Sequence, residues 1–281
     1  MTLLNAANKI YLGGQTVHAI YAGANKVWPT ATFTPASIPN LVHWLDAGSL
    51  SLSDNDVVTV WPNLASGAQP TIVGTPQPKF RTNKLNGKPI VSFNAGEGRL
   101  RSAWSGADVH TYTLIYVVRW RGPSTGRAFS VQYPPSNFLV GSHDTGKDLM
   151  YDNGTWINGP NPTWGDWGSG PGPWRMYGAD GKATFGSRFF IDGTLIGTAG
   201  GSGGITGGWG LSGYDAAGAQ ETIPIDVAEL LLYDRQLDVA ERQAIEDYLR
   251  VKYDLPTPVT LGTSIFPPPG TYDPMEMPDV T

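Results

Sequence analysis

The chain has 281 residues, among them 36 Gly, 23 Pro and 10 Trp, and only 15% of its residues are charged. This composition predicts many short strands and turns, and its aromatic content argues against wholesale disorder. The net charge of −5 without a Lys/Arg cluster argues against a nucleic-acid-binding surface, and the absence of cysteine excludes disulfides, thiolate metal sites and a Cys nucleophile.

The N-terminal region predicts a β-hairpin. Two short alternating runs, Ile10–Leu12 and Val17–Tyr21, are joined by Gly13-Gly14, and Trp28-Pro29 closes the segment. A two-stranded hairpin alone is only marginally stable in water, so we expect it to pair with another chain. Residues 1–14 lack the basic start and long apolar run of a signal peptide, and no stretch approaches the length needed to span a membrane.

The middle of the chain predicts a series of antiparallel strands. Strands are expected at Val57–Trp61, Ile90–Phe93, Thr111–Trp120 and Ile223–Asp234, and Thr111–Trp120 is apolar enough to be covered on both faces. Turns are expected at Asn153-Gly154, Asp180-Gly181 and Asp192-Gly193. This spacing indicates an all-β fold, an antiparallel jelly-roll β-sandwich.

One α-helix is predicted near the C-terminus. Asp238 is placed as its N-cap with Glu241 three residues later, which is a capping-box arrangement. Its apolar stripe comprises Ala244, Ile245, Tyr248 and Leu249, whereas Glu246 and Arg250 are expected on the solvent side. The Pro-rich tail that follows is expected to be extended. The predicted organisation is a docking hairpin (1–30), a linker (31–37), a jelly-roll domain (38–255) and a tail (256–281).

Catalytic patterns are weak throughout the chain. Asp226, Glu229 and Asp234 on the last strand are three and five residues apart, so neighbours should face opposite sides of the strand and not flank one glycosidic bond. Ser202 matches Gly-x-Ser-x-Gly only within a glycine-saturated loop. The chain is therefore predicted not to be an enzyme. The four His residues, expected at the surface or at strand ends, have no zinc-like spacing: His18, His43, His110 and His143.

Calcium is the one cofactor that the sequence leaves open. Asp144, Asp148 and Asp152 follow one another in a short polar segment, and sandwich lectins often hold Ca²⁺ with loop carboxylates. The alternative is that these are solvated loop acids and a turn aspartate.

The segment Thr155–Trp174 places four tryptophans among Gly and Pro. Trp156 and Trp174 are expected at strand ends and in the core. Trp164 and Trp167 lie in mid-loop, and with Asn161 and Asp166 they are the candidate contact residues. Three interpretations stay open for this loop: packing on itself, contact with another subunit, or stacking on a saccharide.

Residues from about 38 to 255 resemble the concanavalin-A-like, laminin-G-like jelly rolls. The likeness rests on Leu41–Gly67, Leu85–Leu100, Tyr112–Trp120, Arg188–Gly197 and Val227–Leu255, of which the last is the most specific. It implies a binding or scaffold domain without catalytic residues. Where such domains commonly show an Asp-Leu-Ser-Gly-Asn turn, this chain has Asn63–Gly67, which weakens the transfer of a calcium site.

Residues Lys9–Pro29 resemble the N-terminal segment of minor tail proteins in tailed phages. The resemblance implies a virion protein of the tail tip, assembled in the host cytoplasm and docked through Tyr11, Tyr21 and Trp28 of the hairpin. Its partners would be other tail proteins, copies of itself in a trimer, and host cell-envelope polysaccharide. A purely structural decoration protein and a cell-wall glycan-degrading enzyme are the alternatives.

Overall fold

The computed structural model describes residues 33–104, 106, 108–122, 126–131, 137–143, 146–159, 171–182, 186–200, 204–205, 207–213 and 221–256, together with the backbone of four short strands before them. These four strands are β1 (Ile10–Leu12), β2 (Gln15–Val17), β3 (Ile20–Ala22) and β4 (Asn25–Trp28). β1 pairs with β2, and β3 pairs with β4. The predicted N-terminal hairpin is confirmed as the pairing of β1 with β2. The expected single run Val17–Tyr21 is wrong, because β2 ends at Val17 and β3, which pairs with β4, begins at Ile20.

The remaining elements form the sandwich. Its strands are β5 (Leu41–Asp46), β6 (Thr71–Val73), β7 (Lys79–Leu85), β8 (Lys88–Phe93), β9 (Arg99–Ser102), β10 (Tyr112–Trp120), β11 (Phe129–Val131), β12 (Phe138–His143), β13 (Gly146–Asp152), β14 (Thr155–Asn158), β15 (Arg175–Lys182), β16 (Gly186–Ile191), β17 (Thr194–Ala199), β18 (Trp209–Leu211) and β19 (Ile225–Tyr233). The helix α1 spans Val239–Tyr253, and short 3₁₀ turns lie at Pro35–Ser37 and Ala47–Ser49.

Two antiparallel sheets face each other. Sheet A has the order β17-β16-β15-β10-β19-β8-β7, with β5 also pairing with β19, and sheet B has the order β14-β13-β12-β11-β18-β9-β6. The first half of β19 pairs with β8 and the second half pairs with β5, so β8 and β5 lie along the same edge of β19. This arrangement confirms the predicted all-β, jelly-roll-like sandwich with one C-terminal helix.

The long strand β10 is buried on both of its faces. Leu114 and Tyr116 lie in the core between the two sheets, whereas Ile115 and Val117 lie in a second core under α1. Both faces of sheet A are thus covered at its centre, as the nearly continuous apolar sequence of this strand predicts.

The helix begins as predicted. The Asp238 carboxylate accepts from the Glu241 backbone N–H at 2.8 Å, and the Glu241 carboxylate accepts from the Asp238 N–H at 3.0 Å. The prediction that Glu246 is solvated is wrong, because that side chain is only 4% exposed. The β16–β17 turn packs against this side of the helix, where Arg250 donates to the Asp192 carbonyl at 2.8 Å.

Two further local predictions fail for tertiary reasons. Val57–Trp61 forms only an isolated bridge from Val57 to Lys79, and Trp61 is instead fully buried in the core. Asp180-Gly181 does not turn the chain but lies within β15, where buried Asp180 pairs with Arg188 at 2.7 Å. Within the residues that the structure describes, no helix is long and apolar enough to cross a membrane.

Candidate functional site

The outer face of sheet B carries the candidate site. The inner face is defined by a core row in direct strand register: Ile72, Leu100, Leu211, Phe129, Val140, Met150 and Ile157. Because side chains alternate along each strand, the neighbouring register positions point outward. They form the outer row Thr71, Arg101, Gly210, Ser130, Leu139, Tyr151 and Trp156.

One end of the outer row is an aromatic cluster. The Tyr151 and Trp156 rings lie 4.6 Å apart, and the His143 ring stacks on Trp156 at 5.8 Å with an interplanar angle of 14°. We call these three residues the aromatic surface. Trp156 is 40% exposed, so the expectation that it belongs to the core is wrong, whereas the expectation that it lies on a strand is confirmed.

The β13–β14 turn explains this placement. Asn153 and Gly154 both have positive φ, at 43° and 115°, as a tight two-residue hairpin turn requires. The turn sets Tyr151 opposite Trp156. Tyr151 was not among the predicted site residues, and His143 was predicted only as a surface or strand-end residue. The Asn-Gly signal together with a period-2 count from the turn would have paired Tyr151 with Trp156.

The other end of the outer row borders a cavity of about 340 Å³. Arg99 and Arg101, two positions apart on β9, both line it. The remaining lining residues are small or polar, apart from Trp209: Ala68, Gln69, Thr71, Ser102, Ala103, Gly207, Gly208, Gly210 and Gly213. Neither arginine was among the predicted site residues, because no local sequence pattern shows that β6, β9 and β18 meet there.

The carboxylates of β19 do not form a catalytic pair. Ala228 is an extra residue in the pairing of β19 with β10, since Val117 pairs with Glu229 and Val118 with Val227. This bulge puts Asp226 and Glu229 on the same face, so the prediction that they face opposite sides is wrong. Asp226 is nevertheless neutralised separately, by Arg119 and Arg121, each at 2.9 Å.

Glu229 is the centre of a buried network beneath α1. Its carboxylate is fully buried and accepts from Lys252 Nζ at 2.6 Å, from Trp44 Nε1 at 2.7 Å and from the Tyr253 hydroxyl at 2.8 Å. Lys252 also donates to Asp46 at 2.6 Å. Burial raises the pKa of Glu229, and this effect is larger than the opposite effect of the Lys252 charge, which lowers the pKa. Every oxygen of this carboxylate has a partner, so the network holds the helix on sheet A.

The calcium candidates lie in different surroundings. Asp148, with φ of +56° at a bulge, accepts from the Tyr177 hydroxyl at 2.6 Å and lies 3.4 Å from Arg175 Nε. Asp152 is fully buried opposite Phe138, and Asp144 lies outside the described residues. Within the part of the chain that the structure describes, no three His, Asp or Glu side chains are grouped to hold a metal ion.

The histidines separate into different environments. His43 is fully buried, with the Trp209 ring edge-on at 5.0 Å, so the expectation of a surface or strand-end position is wrong for it. Burial lowers the pKa of His43 to about 4. His110 lies in the turn before β10, and His143 belongs to the aromatic surface. His18 lies outside the described residues.

Several predicted contact residues cannot be placed. The residues outside the described part of the chain include Asn161, Trp164, Asp166, Trp167, Ser202 and residues 257–281. The side chains of Tyr11, Tyr21 and Trp28 are outside it as well. The backbones of Tyr11, Tyr21 and Trp28 belong to two different hairpins. Trp174 is partly buried against the core under α1 and lies under the Arg119 guanidinium at 4.9 Å, as expected for a packing role.

Comparison with solved structures shows the fold. A chain of botulinum neurotoxin type C, from work on its entry through two ganglioside molecules, matches with a TM-score of 0.51 and 11% identity over 75% of this chain and 51% of that one. The chain has a lectin-like β-sandwich fold. No family model matches it, and no curated protein matches it by sequence.

Two further matches are to chains of glycoside hydrolases. Trypanosoma rangeli sialidase with sialic acid matches with a TM-score of 0.47 and 16% identity, over 75% of this chain and 33% of that one. Domain 4 of a GH43 extracellular arabinanase from Geobacillus stearothermophilus with arabinotriose matches with a TM-score of 0.48 and 15% identity, over 72% and 96%. The chain thus spans about a third of the sialidase.

These matches correct one prediction. The chain was predicted not to be an enzyme because its catalytic patterns are weak and because the family resemblance implies a binding or scaffold domain. That prediction is wrong, since the sandwich also occurs in sialidase and arabinanase chains. At these identities the likenesses concern the fold and not the chemistry of individual residues.

Proposed function

We propose that the domain of residues 33–256 recognises glycans on the outer face of sheet B. The observation that carries this proposal is the aromatic surface, in which Trp156 is exposed although it sits beside Tyr151 and His143. An exposed aromatic cluster on a rigid strand pair marks a contact surface, and its flat faces suit the flat faces of sugar rings. The lectin-like fold shared with the ganglioside-dependent toxin supports the same ligand class.

Replacing Trp156 with Ala is expected to weaken saccharide binding roughly tenfold or more, because an aromatic side chain central to a contact contributes disproportionately. The full chain would be titrated with sialic acid, arabinotriose and purified bacterial envelope polysaccharide. Val60→Ala is the matched control, since Val60 is 56% exposed and follows Val57, which bridges to Lys79 on β7 of sheet A. Equal binding by wild type and Trp156→Ala would contradict the proposal.

Cleavage of the bound glycan is the second candidate function, because the fold also occurs in glycoside hydrolase chains. The same saccharides would be assayed for release of reducing ends. Release that is abolished by one Asp or Glu substitution would favour cleavage over binding alone.

The finer proposal is that the protein is a virion component of a phage tail tip, assembled in the host cytoplasm and docked by residues 1–30. Its support is the resemblance of Lys9–Pro29 to minor tail proteins. The two hairpins in this region consist of two strands each, β1 with β2 and β3 with β4. Such small sheets gain stability from strand addition by another chain, which a homotrimer or a neighbouring tail protein would supply.

Deletion of residues 1–30 is expected to leave a folded domain that no longer enters virions. The core between the sheets and the core under α1 both consist of residues from position 33 onward, so the thermal unfolding midpoint should be retained. Incorporation would be measured by immunoblot of purified particles from complemented infections. Normal incorporation of the truncated protein would contradict the docking role.

A further inference from the structure

We propose that the outer edge of β17 is an interface between copies of this chain, where the C-terminal segment Val259–Phe266 of a second copy adds as a further strand of sheet A. We call this segment the donor strand. The inference goes beyond glycan recognition on sheet B and concerns how copies of the chain assemble. It starts from an open edge of sheet A.

The chain itself covers the other exposed edges of sheet A. Beside β7, the Phe80 N–H donates to the Asp56 carbonyl at 2.9 Å, and the Phe80 carbonyl accepts from the Asn55 N–H at 2.9 Å. Beside β5, the Trp44 carbonyl accepts from the Leu64 N–H at 2.9 Å. A loop thus occupies the position of an added strand at each of these edges, which is a usual way to block pairing with another chain.

The edge of β17 is open. β17 pairs with β16, and residues 194–199 form no backbone hydrogen bond with any other segment that the structure describes. Leu195, one position past the residue that flanks the two-residue turn, directs its N–H and C=O away from β16 and is 51% exposed. β17 contains no charged residue and no proline to protect it. Its bulge at Ile196 packs that side chain against the core and leaves Leu195 uncovered.

The donor strand has the sequence that this edge requires. It lies outside the described residues and reads Val-Thr-Leu-Gly-Thr-Ser-Ile-Phe, so Val259, Leu261 and Ile265 recur on one face of an extended chain. It carries no charge, and Pro258 and Pro267 bound it. Proline is tolerated at the ends of strands and on edge strands, and a strand added to β17 becomes an edge strand. Added strands of this kind bind mainly through backbone hydrogen bonds.

The position of the end of α1 favours a second copy as the donor. The Asn86 side-chain amide in the β7–β8 turn donates to the Tyr253 carbonyl at 2.7 Å, so α1 ends on the side of sheet A away from β17. A strand added to β17 would lie five strand spacings from β19, or about 24 Å. The four residues from Leu255 to Val259 span at most about 14 Å. Donation from copy to copy is head-to-tail, which closes into a ring such as a trimer or continues as a filament.

Cysteine cross-linking tests the pairing directly, because the full chain has no cysteine of its own. Full-length Thr198→Cys, which is exposed on β17, would be mixed with full-length variants that carry one cysteine at each position of the donor strand in turn. We expect disulfide-linked dimers of unlike copies whose yield alternates along the donor strand, because successive side chains point to opposite faces. Val251→Cys replaces Thr198→Cys as the control, since Val251 is 55% exposed on α1.

A charge on the open edge should prevent the pairing. Leu195→Lys in the Thr198→Cys chain is expected to lower the dimer yield roughly tenfold, whereas Val251→Lys should leave it unchanged. Absence of cross-links, equal yields with the Val251→Cys control, or no effect of Leu195→Lys would overturn the interface. If unlike copies do not cross-link but a Thr198→Cys/Thr263→Cys chain closes on itself, the donor strand pairs within its own chain and the second copy is wrong.

Discussion

Replacing Lys252 with Met is expected to lower the free energy of unfolding by about 3–5 kcal/mol, the usual cost of removing one partner from a buried ion pair. Lys252 Nζ lies 2.6 Å from both Glu229 and Asp46. Burial alone would lower the pKa of Lys252, but the two carboxylates raise it above its ordinary range. Without the ammonium group, the fully buried Glu229 carboxylate would have no cationic partner among the residues that the structure describes.

The measurement is urea unfolding of wild type, Lys252→Met, Glu229→Gln and the double variant. The double variant should lose less than the sum of the single losses, because it no longer buries an unpaired charge. Lys88→Met is the control, since Lys88 is exposed on β8 and should change stability by less than about 0.5 kcal/mol. Additive losses in the double variant would contradict the coupling of these side chains.

The second large effect is a loss of stability in acid caused by His43. Burial lowers its pKa from 6.5 to about 4. Between these pH values the unfolded chain binds a proton that the folded chain does not, so the free energy of unfolding falls as pH falls. The loss begins near pH 6.5, is complete below about pH 4, and amounts to ~3 kcal/mol.

His43→Gln isolates this effect. Asp192, Glu229 and Glu246 have pKa values raised by burial, so they act with the opposite sign as pH falls. The measured quantity is therefore the difference in unfolding free energy between wild type and His43→Gln, at several values from pH 7 to pH 4. This difference should shrink by ~3 kcal/mol toward low pH. A pH-independent difference would show that His43 is protonated alike in both states.

Local sequence signals predicted the features that a few neighbouring residues decide. Asn153-Gly154 and Asp192-Gly193 do turn the chain, with positive φ at all four positions. The capping box of α1 and the two-sided burial of β10 are also as predicted. Each of these features depends on local backbone preference or on the composition of one segment. Such properties can be read from the sequence without knowing which strands are neighbours.

Cross-strand contacts decided the candidate site. Tyr151 and Trp156 share a hairpin and could be paired from the sequence, but Arg101 meets Thr71 and Gly210 only through the order of β6, β9 and β18. The bulge at Ala228 reverses the face expected for Glu229 relative to Asp226. A one-residue irregularity of this kind changes which face of a strand every later side chain occupies.

By itself, the sequence determined an all-β, Gly- and aromatic-rich sandwich closed by one capped helix, because turn chemistry and alternation are local properties. The tertiary structure decided which side chains are buried and which meet on a surface. Trp61 is in the core although its segment forms no strand, and Trp156 is exposed although it lies on one. The physical reason is that burial depends on register and on the packing of distant segments, which no local preference specifies.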